Sequence, residues 1–258
     1  MIFDLGLFDA SDTAFYLRKG FQVVAVEARP DLCAQARASF AREIAFGRLT
    51  IVECAIWKKD GERIPFYVRS GWSSVFRSSA ERDGGASEEI CVETTTMNRL
   101  FDEFGIPHYL KADIEAAEDL VVDGLAGRVD RPAFVSVEDP VGTTAARLHE
   151  IGYDRFQMVN QGYLKRTRFP KQSREGKNVE FQFDGRCSGL FGHDLPENRW
   201  VDFPRVMSQM NFWNRLRANE INPVVAYACR RFGKLTNRGW LLGAGWADIH
   251  ATTAAYVS

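Results

Sequence analysis

The sequence predicts an α/β chain in which a mostly parallel sheet carries helices on both faces. Short apolar runs alternate with helical patterns in the first half of the chain, and the run at 21–26 is apolar enough to be buried on both faces. With 258 residues, of which 45% are hydrophobic and 26% charged, the chain can bury a substantial core. Disorder is therefore excluded for most of its length.

The elements follow one another in an alternating order. The predicted strands are short runs of β-favouring residues at 1–5, 21–26, 49–55, 64–68, 90–95, 109–114, 133–137 and 155–159. The predicted helices lie at 13–19, 30–40, 97–104, 115–124, 143–151 and 201–218. Gly20 suits a helix C-terminus, Pro30 a first helical turn and Thr96 an N-cap, so these three residues set helix boundaries.

The chain is expected to divide into two regions. Residues 1–162 would form the α/β core, and residues 163–258 an irregular and helical cap that packs on the core and contacts the substrate. The second region contains many Arg, Lys, Gly and Pro residues without a clear period, followed by an aromatic, glycine-rich tail.

Composition excludes several classes of protein. Lys and Arg number 33 and Asp and Glu 34, so a net charge of -1 disfavours nucleic acid as a partner. The five cysteines are far apart and form no C-x-x-C pair, which predicts free thiols in a reducing cytoplasm. The start has no basic n-region and no run of about 18 apolar residues occurs, so neither a secretory signal nor a membrane span is expected.

The first group of residues with chemical meaning is Asp4 and Gly6 after strand one, with Glu27 at the end of strand two. An acid about 20 residues beyond a glycine turn can bind both hydroxyls of a ribose. The further glycines that cradle a pyrophosphate are missing, which argues against a dinucleotide and tolerates a nucleoside without phosphates. Taken alone, the pattern also fits an ordinary strand-turn-helix.

The second group is Asp113, Glu115 and Glu118, where the strand at 109–114 runs into its helix. The carboxyl ends of strands are where open α/β sheets bind ligands. A carboxylate there can hold an ammonium group, orient a nucleophile or bind a metal. For Glu118, compensation of the helix dipole is the favoured interpretation.

At this point the sequence resembles a known family. The block Leu110–Glu118 resembles the K-I-D-I-E-G-A-E signature of the FkbM-type methyltransferases, although Ala116 replaces the usual glycine. Further segments agree with that family in the same order: Phe3–Gly6, Asp12–Thr13, Val24–Pro30, Ala55–Ile56, Trp72–Ser74 and Phe134–Glu138. The resemblance covers about residues 1 to 160.

The resemblance implies a Rossmann-like class I methyltransferase sheet and S-adenosylmethionine as the cofactor. It also implies methyl transfer to a hydroxyl of a saccharide or another polyhydroxylated small molecule. By position, the cofactor-binding residues would be Asp4, Leu5, Gly6, Asp12, Thr13, Glu27, Ala28, Cys54, Ala55 and Asp113. The substrate-binding residues would be Trp72, Ser73, Ser74 and Trp246.

A hydroxyl acceptor must lose its proton, which calls for a general base that titrates near pH 7. The candidates are two histidines of the cap region and three carboxylates: His250, His193, Asp113, Glu115 and Glu138. His250 is preferred, because Trp246 and Asp248 precede it closely. The carboxylates together could bind a divalent metal, but no metal is expected.

Two alternatives stay open. The glycine-poor first loop and Ala116 also fit a degenerate module that binds S-adenosylmethionine without turnover. A nicotinamide dehydrogenase would share Glu27 but needs the absent phosphate-binding glycines. The expected partner is a saccharide-like small molecule, and both a monomer and a homo-oligomer are compatible with the sequence.

Overall fold

The computed structural model describes residues 1–69, 72–139, 142–236 and 238–257. The chain forms two compact units, Met1–Pro132 and Ala133–Ser258. The boundary expected at residue 163 falls inside the second unit, so the cap region stays a prediction.

The first unit is built on a parallel sheet. Its strands are β1 (Ile2–Leu5), β2 (Val23–Glu27), β3 (Leu49–Glu53), β4 (Ala55–Ile56), β5 (Arg63–Val68), β6 (Glu88–Thr95) and β7 (Tyr109–Ala112). Four of them pair in parallel in the order β3-β2-β1-β7. A smaller sheet has the order β4-β6-β5, in which β5 runs antiparallel to β6.

Helices follow the strands of this unit. They are α1 (Ser11–Arg18), α2 (Pro30–Ser39), α3 (Ala41–Ala45), α4 (Arg77–Ala80), α5 (Met97–Phe104) and α6 (Glu118–Leu125). The hydroxyl of Thr96 accepts the N–H of Arg99 and caps α5, and Pro30 opens α2, as predicted. Gly20 follows α1 with a φ of 92°, which suits a helix end.

The core of the first unit lies on both faces of β1 and β7. The ring of Phe3 stacks 5.9 Å from that of Phe101 in α5, and the ring of Tyr16 in α1 meets that of Tyr109 edge-on at 5.8 Å. All four residues of β1 are buried. A strand buried on both faces is mostly apolar, which explains why its sequence lacks alternation, and the charge of its one polar residue, Asp4, is paired with Lys111.

The second unit contains an antiparallel arrangement. Its strands are β8 (Phe134–Glu138), β9 (Arg155–Asn160) and β10 (Ala247–Thr252), and its helices are α7 (Thr143–Glu150), α8 (Phe203–Arg217) and α9 (Pro223–Thr236). Strand β10 lies between β8 and β9 and is antiparallel to both. Neither β10 nor α9 was among the predicted elements.

The predicted fold class is confirmed. The chain is α/β, and the parallel strands and the helices between them occur where the apolar runs predicted them. Within the ranges that the structure describes, no helix is both long enough and apolar enough to cross a membrane.

The turn after β1 depends on a residue without a side chain. Gly6 has a φ of 86°, and a Cβ at this position would lie 1.9 Å from the carbonyl oxygen of Asp113. The turns after β1 and β7 are therefore in direct backbone contact, which only glycine permits.

Replacing Gly6 with alanine should lower the free energy of unfolding strongly. A positive φ costs about 1–3 kcal/mol in a residue with a side chain, and the overlap with Asp113 adds to that. Gly47 is a matched control, because its φ is 66° but a Cβ there would have no atom within 4 Å. Urea denaturation of both alanine variants measures the difference, and equal losses would contradict the close-approach argument.

Candidate functional site

The carboxyl ends of β1, β2 and β7 meet at one edge of the parallel sheet of the first unit. Leu5 is the register partner of both Val26 and Ala112, and the N–H of Asp113 donates to the carbonyl of Leu5 at 3.0 Å. Gly6, Glu27 and Asp113 therefore lie at the same edge. This is the position at which α/β sheets bind ligands.

The carboxylate of Glu27 organises the loops at this edge. Its Oε2 accepts the backbone N–H of Phe8, and its Oε1 accepts that of Arg29, both at 2.9 Å. Burial raises the pKa of Glu27, and the two backbone hydrogen bonds oppose that shift. A carboxylate has about four acceptor positions, so these two bonds leave capacity for ligand hydroxyls.

The loop between β1 and α1 adopts an unfavourable backbone conformation. Phe8 has a φ of 47° and Ala10 a φ of 62°, both in the left-handed region that favours glycine. The bond from Phe8 to Glu27 and the bond from the N–H of Ala10 to the carbonyl of Leu7, at 2.8 Å, hold this conformation. The loop contains few glycines, but Phe8 and Ala10 adopt the positive φ that glycine usually supplies in such a turn.

Lys111 of β7 is the centre of a buried charge cluster. Its Nζ lies 3.0 Å from the carbonyl oxygen of Gly6, 3.3 Å from Asp4 Oδ1, 3.6 Å from Asp12 Oδ2 and 3.8 Å from Asp113 Oδ2. The lysine side chain is 5% exposed. One ammonium group therefore faces three carboxylates, and the cluster has an excess of negative charge when all are ionised.

Asp4 and the neighbouring Thr13 support the charge cluster from inside the protein. Asp4 is fully buried, and its Oδ2 accepts the hydroxyl of Thr13 at 2.6 Å. Burial raises the pKa of Asp4, while Lys111 and Thr13 lower it. Asp113 is the more accessible carboxylate, because its side chain is 32% exposed. Of the three carboxylates, Asp113 is therefore the best placed to meet a ligand.

The turn after β7 is strained in the same way as the loop after β1. Glu115 has a φ of 52° and Ala116 a φ of 75°. The hydroxyl of Ser74 donates to the carbonyl of Glu115 at 2.6 Å, and the N–H of Ile114 donates to Glu118 Oε1 at 3.0 Å. Such strain persists only where surrounding contacts fix it, and it is concentrated at functional sites.

Two carboxyl groups of this turn titrate near neutrality. Burial and the charge of Asp113 raise the pKa of Glu115 to about 7, although Arg82 lowers it through an ion pair at 2.8 Å. Burial raises the pKa of Glu118 to about 8. Glu115 therefore has the pKa expected of a general base that works near pH 7.

The predicted substrate residues 72–74 lie in a loop beside this turn. The guanidinium carbon of Arg82 lies 4.8 Å from the ring centroid of Trp72, and that of Arg69 lies 5.9 Å from it. The hydroxyl of Ser73 bonds the backbone of Arg69, and Ser74 is fully buried. Both hydroxyls thus stabilise the loop, and their contact with a substrate stays a prediction.

The remaining predicted cofactor residues of the first unit are apolar or weakly polar. Ala28 and Ala55 belong to one hydrophobic cluster, so the structure brings these two together. Leu5 is fully buried, which leaves only its backbone to act. Cys54 is half-buried, and burial raises the pKa of its thiol to about 11.

The two histidines proposed as bases belong to the second unit. His250 lies in the middle of β10, opposite Ser136 and Gln157, and is 1% exposed. Burial lowers its pKa to about 3, which makes it a poor proton acceptor near pH 7. The ring of His193 packs edge-on against Phe134 at 4.9 Å. These surroundings do not favour either histidine over a carboxylate.

Glu138 and Trp246 also belong to the second unit. Glu138 is the last residue of β8 and is half-buried. Trp246 is 46% exposed, and its carbonyl accepts the N–H of Gln161 at 2.9 Å. Their roles in catalysis and substrate binding stay predictions.

No site role was expected for Lys111 or Arg82 from the sequence. Glu118 was expected only to offset a helix dipole. A lysine inside an apolar strand is a signal in itself, because lysine is almost never buried unless paired. Arg82 left no such signal, because it pairs with Glu115 across 33 positions of the chain. Glu118 does more than offset a helix dipole, since its carboxylate accepts a backbone N–H of the turn.

Comparison with protein families gives a match over much of the chain. A family model described as the methyltransferase FkbM domain matches residues 4–150, which is more than half of the chain. That range includes the turn after β1, the carboxylate of Glu27 and the turn after β7. No curated protein matches the chain.

Replacing Lys111 with methionine should destabilise the protein by about 3–5 kcal/mol near neutral pH, because buried carboxylates lose their counter-charge. Without Lys111 the pKa of Asp4 rises further, so the folded state binds more protons than the unfolded chain. The loss should therefore shrink as the pH falls from about 8 to about 5. Chemical denaturation at both pH values measures this.

Lys59→Met is the control, because Lys59 forms an ion pair with Glu62 while its side chain is 75% exposed. An exposed pair contributes only about 0–1 kcal/mol. A pH-independent loss in the Lys111 variant would show that packing of the lysine stem, and not its charge, is what stabilises the edge.

Proposed function

The chain belongs to the FkbM methyltransferase family, and on that premise we propose that it transfers a methyl group from S-adenosylmethionine to a hydroxyl group of a saccharide or another polyhydroxylated small molecule. The observation that carries the proposal is the joint position of Gly6, Glu27 and Asp113 at the carboxyl edge of the parallel sheet. A glycine turn, a strand-end acid and a partly exposed carboxylate suit a nucleoside that also carries a cationic amino acid part.

The residues present are compatible with this cofactor. Glu27 retains acceptor capacity for the two ribose hydroxyls beyond its bonds to Phe8 and Arg29. The three carboxylates around Lys111 exceed its charge, so the edge favours the ammonium group of the cofactor's methionine part. Asp113 would receive that ammonium group, because Asp4 is fully buried. Gly6 would hold the turn after β1 directly against the backbone of Asp113, next to this ammonium group.

When bound, S-adenosylmethionine supplies an activated methyl group on a sulfonium, which is already a good leaving group. The chain then has two tasks, which are to align the acceptor oxygen and to remove its proton. We assign the second task to Glu115, since a carboxylate with a pKa of about 7 is half ionised near neutral pH. Ser74 and Arg82 position this residue through its carbonyl and its carboxylate.

The loop that carries Trp72 supports a polar acceptor. Among the described side chains, Nε1 of Trp72 is buried without a hydrogen-bond partner, so a small movement of the loop would let it donate to a ligand hydroxyl. The guanidinium group of Arg82 lies over the same indole ring. Donors and a carboxylate base side by side suit a ligand with several hydroxyl groups.

A degenerate binding module is the second candidate. Four residues with side chains adopt positive φ in the two turns, including Ala116 at the usual glycine position. In a degenerate module these side chains would block the acceptor and leave cofactor binding intact. Release of S-adenosylhomocysteine from the protein with a panel of saccharides separates the two candidates, because a binding module releases none.

Glu27→Gln should weaken the binding of S-adenosylmethionine by about tenfold or more, because each charge-assisted hydrogen bond contributes about 1.5–3 kcal/mol. The melting temperature should also fall, since one backbone N–H of the loops loses its acceptor. Titration calorimetry measures the affinity. Glu53→Gln is the control, because Glu53 ends the neighbouring strand and is the register partner of Glu27. Unchanged affinity in both variants would contradict the ribose assignment.

Glu115→Gln should lower kcat by about 10²–10⁴-fold, the usual contribution of a general base, with little effect on cofactor affinity. In the wild type, activity should rise with pH through about 7, because the base must be ionised. The rate of S-adenosylhomocysteine release across the pH range measures both effects.

Arg82→Gln provides the sharper test of the same assignment. Arg82 lowers the pKa of Glu115, so its removal should move the rise in activity to higher pH. A rise at the same pH in wild type and variant would mean that another group is the base.

A further inference from the structure

Helix α9 presents large apolar side chains to solvent. Five of its residues are exposed: Val224 at 76%, Val225 at 49%, Tyr227 at 66%, Phe232 at 52% and Leu235 at 78%. Helical spacing places four of them on one face, namely Val224, Tyr227, Phe232 and Leu235, and Val225 lies at its border. We call these five residues the α9 outer face. Such a concentration of exposed apolar area marks an interaction surface.

The inner face of α9 is built from small residues. Ala226 and Gly233 are buried, and a Cβ at Gly233 would lie 2.8 Å from Cβ of Leu241. Arg230 donates to the carbonyls of Leu216 and Leu242 at 3.1 and 3.2 Å. The helix therefore packs on the protein through its small residues, and its large apolar side chains face solvent. An ordinary surface helix has the opposite arrangement.

Positive charge accompanies the apolar face. Helix α9 contains three basic residues and no acidic one. Arg231 and Lys234 are exposed, and helical spacing places Arg231 on the outer face itself, one turn before Leu235. Residues 203–238 contain seven basic residues and one acidic residue, Glu220, whereas the whole chain has a net charge of -1. The charge of the chain is therefore unevenly distributed, with a cationic region around α9.

We propose that α9 binds the surface of an anionic lipid bilayer, with its outer face among the headgroups and upper acyl chains. Exposed apolar residues flanked by Arg and Lys are the pattern of an interfacial helix. At 14 residues the helix is too short to span a bilayer, which takes about 20 residues. A second copy of the chain is the less suitable occupant, because it would place one cationic face against another.

The test uses the full chain and two kinds of vesicle, one of phosphatidylcholine alone and one that also contains phosphatidylglycerol. Co-sedimentation should detect binding to the anionic vesicles, and added salt should weaken it. Equal binding to both vesicles, or binding to neither, would overturn the proposal.

Two variants test the apolar part. Val224→Glu should weaken binding to anionic vesicles by at least about tenfold, since it places a negative charge in the apolar contact. Val129→Glu is the matched control, because Val129 is 97% exposed and lies outside α9. Circular dichroism and thermal melting establish that both variants are folded. Equal affinities of the two variants would overturn the proposal.

A third variant tests the charges. The double substitution Arg231→Gln and Lys234→Gln should weaken binding about 25-fold, since each basic residue near an anionic surface contributes roughly fivefold. Sedimentation velocity without vesicles tests the alternative in which a second copy of the chain binds the outer face. Self-association that Val224→Glu abolishes, in a protein that ignores anionic vesicles, would assign the face to a second copy and overturn the lipid assignment.

Discussion

The candidate site depends on one buried cation. Lys111 bonds the carbonyl of Gly6 and faces Asp4 of β1, Asp12 of α1 and Asp113 after β7, so a single ammonium group connects β1, α1 and the turn after β7. Removing ions from water costs several kcal/mol per charge unless partners compensate. The elements are therefore held at fixed distances by electrostatics as well as by packing. The carboxylates around Lys111 also suit the cationic cofactor proposed above.

Two strained turns flank this cluster, and both are held by side chains from elsewhere in the sequence. Glu27 fixes Phe8 in the first turn, and Ser74 fixes the carbonyl of Glu115 in the second. Both bonds are made by the protein's own side chains, which fix the backbone of the two turns. Preorganised dipoles and charges need no rearrangement during a reaction, which is the main physical source of catalysis by fixed groups. Ala116 shows that the second turn tolerates a side chain where glycine would be easier.

Local patterns in the sequence predicted much of the fold and part of the site. Buried parallel strands are mostly apolar, so β1 and β2 were visible as runs, and their ends located Gly6 and Glu27. Strand β10 was missed because Asp248 and His250 interrupt its apolar character, although all six of its residues are buried. The ion pair of Arg82 with Glu115 could not be predicted, since no local rule relates a loop to a turn 33 positions away. The raised pKa of Glu115 could not be predicted either, because it depends on burial and on neighbouring charges in the folded chain.

The central position of β10 also constrains how the second unit is made. Strands β8 and β9 each pair with β10, which comprises residues 247–252 near the end of the chain. On the ribosome, β8 and β9 therefore emerge long before the strand that pairs with both of them. Until then their backbone N–H and carbonyl groups lack these pairing partners, which is the state in which strand edges recruit other chains. A chain truncated before residue 247 would thus keep two open strand edges and should aggregate more readily than the chain that contains β10.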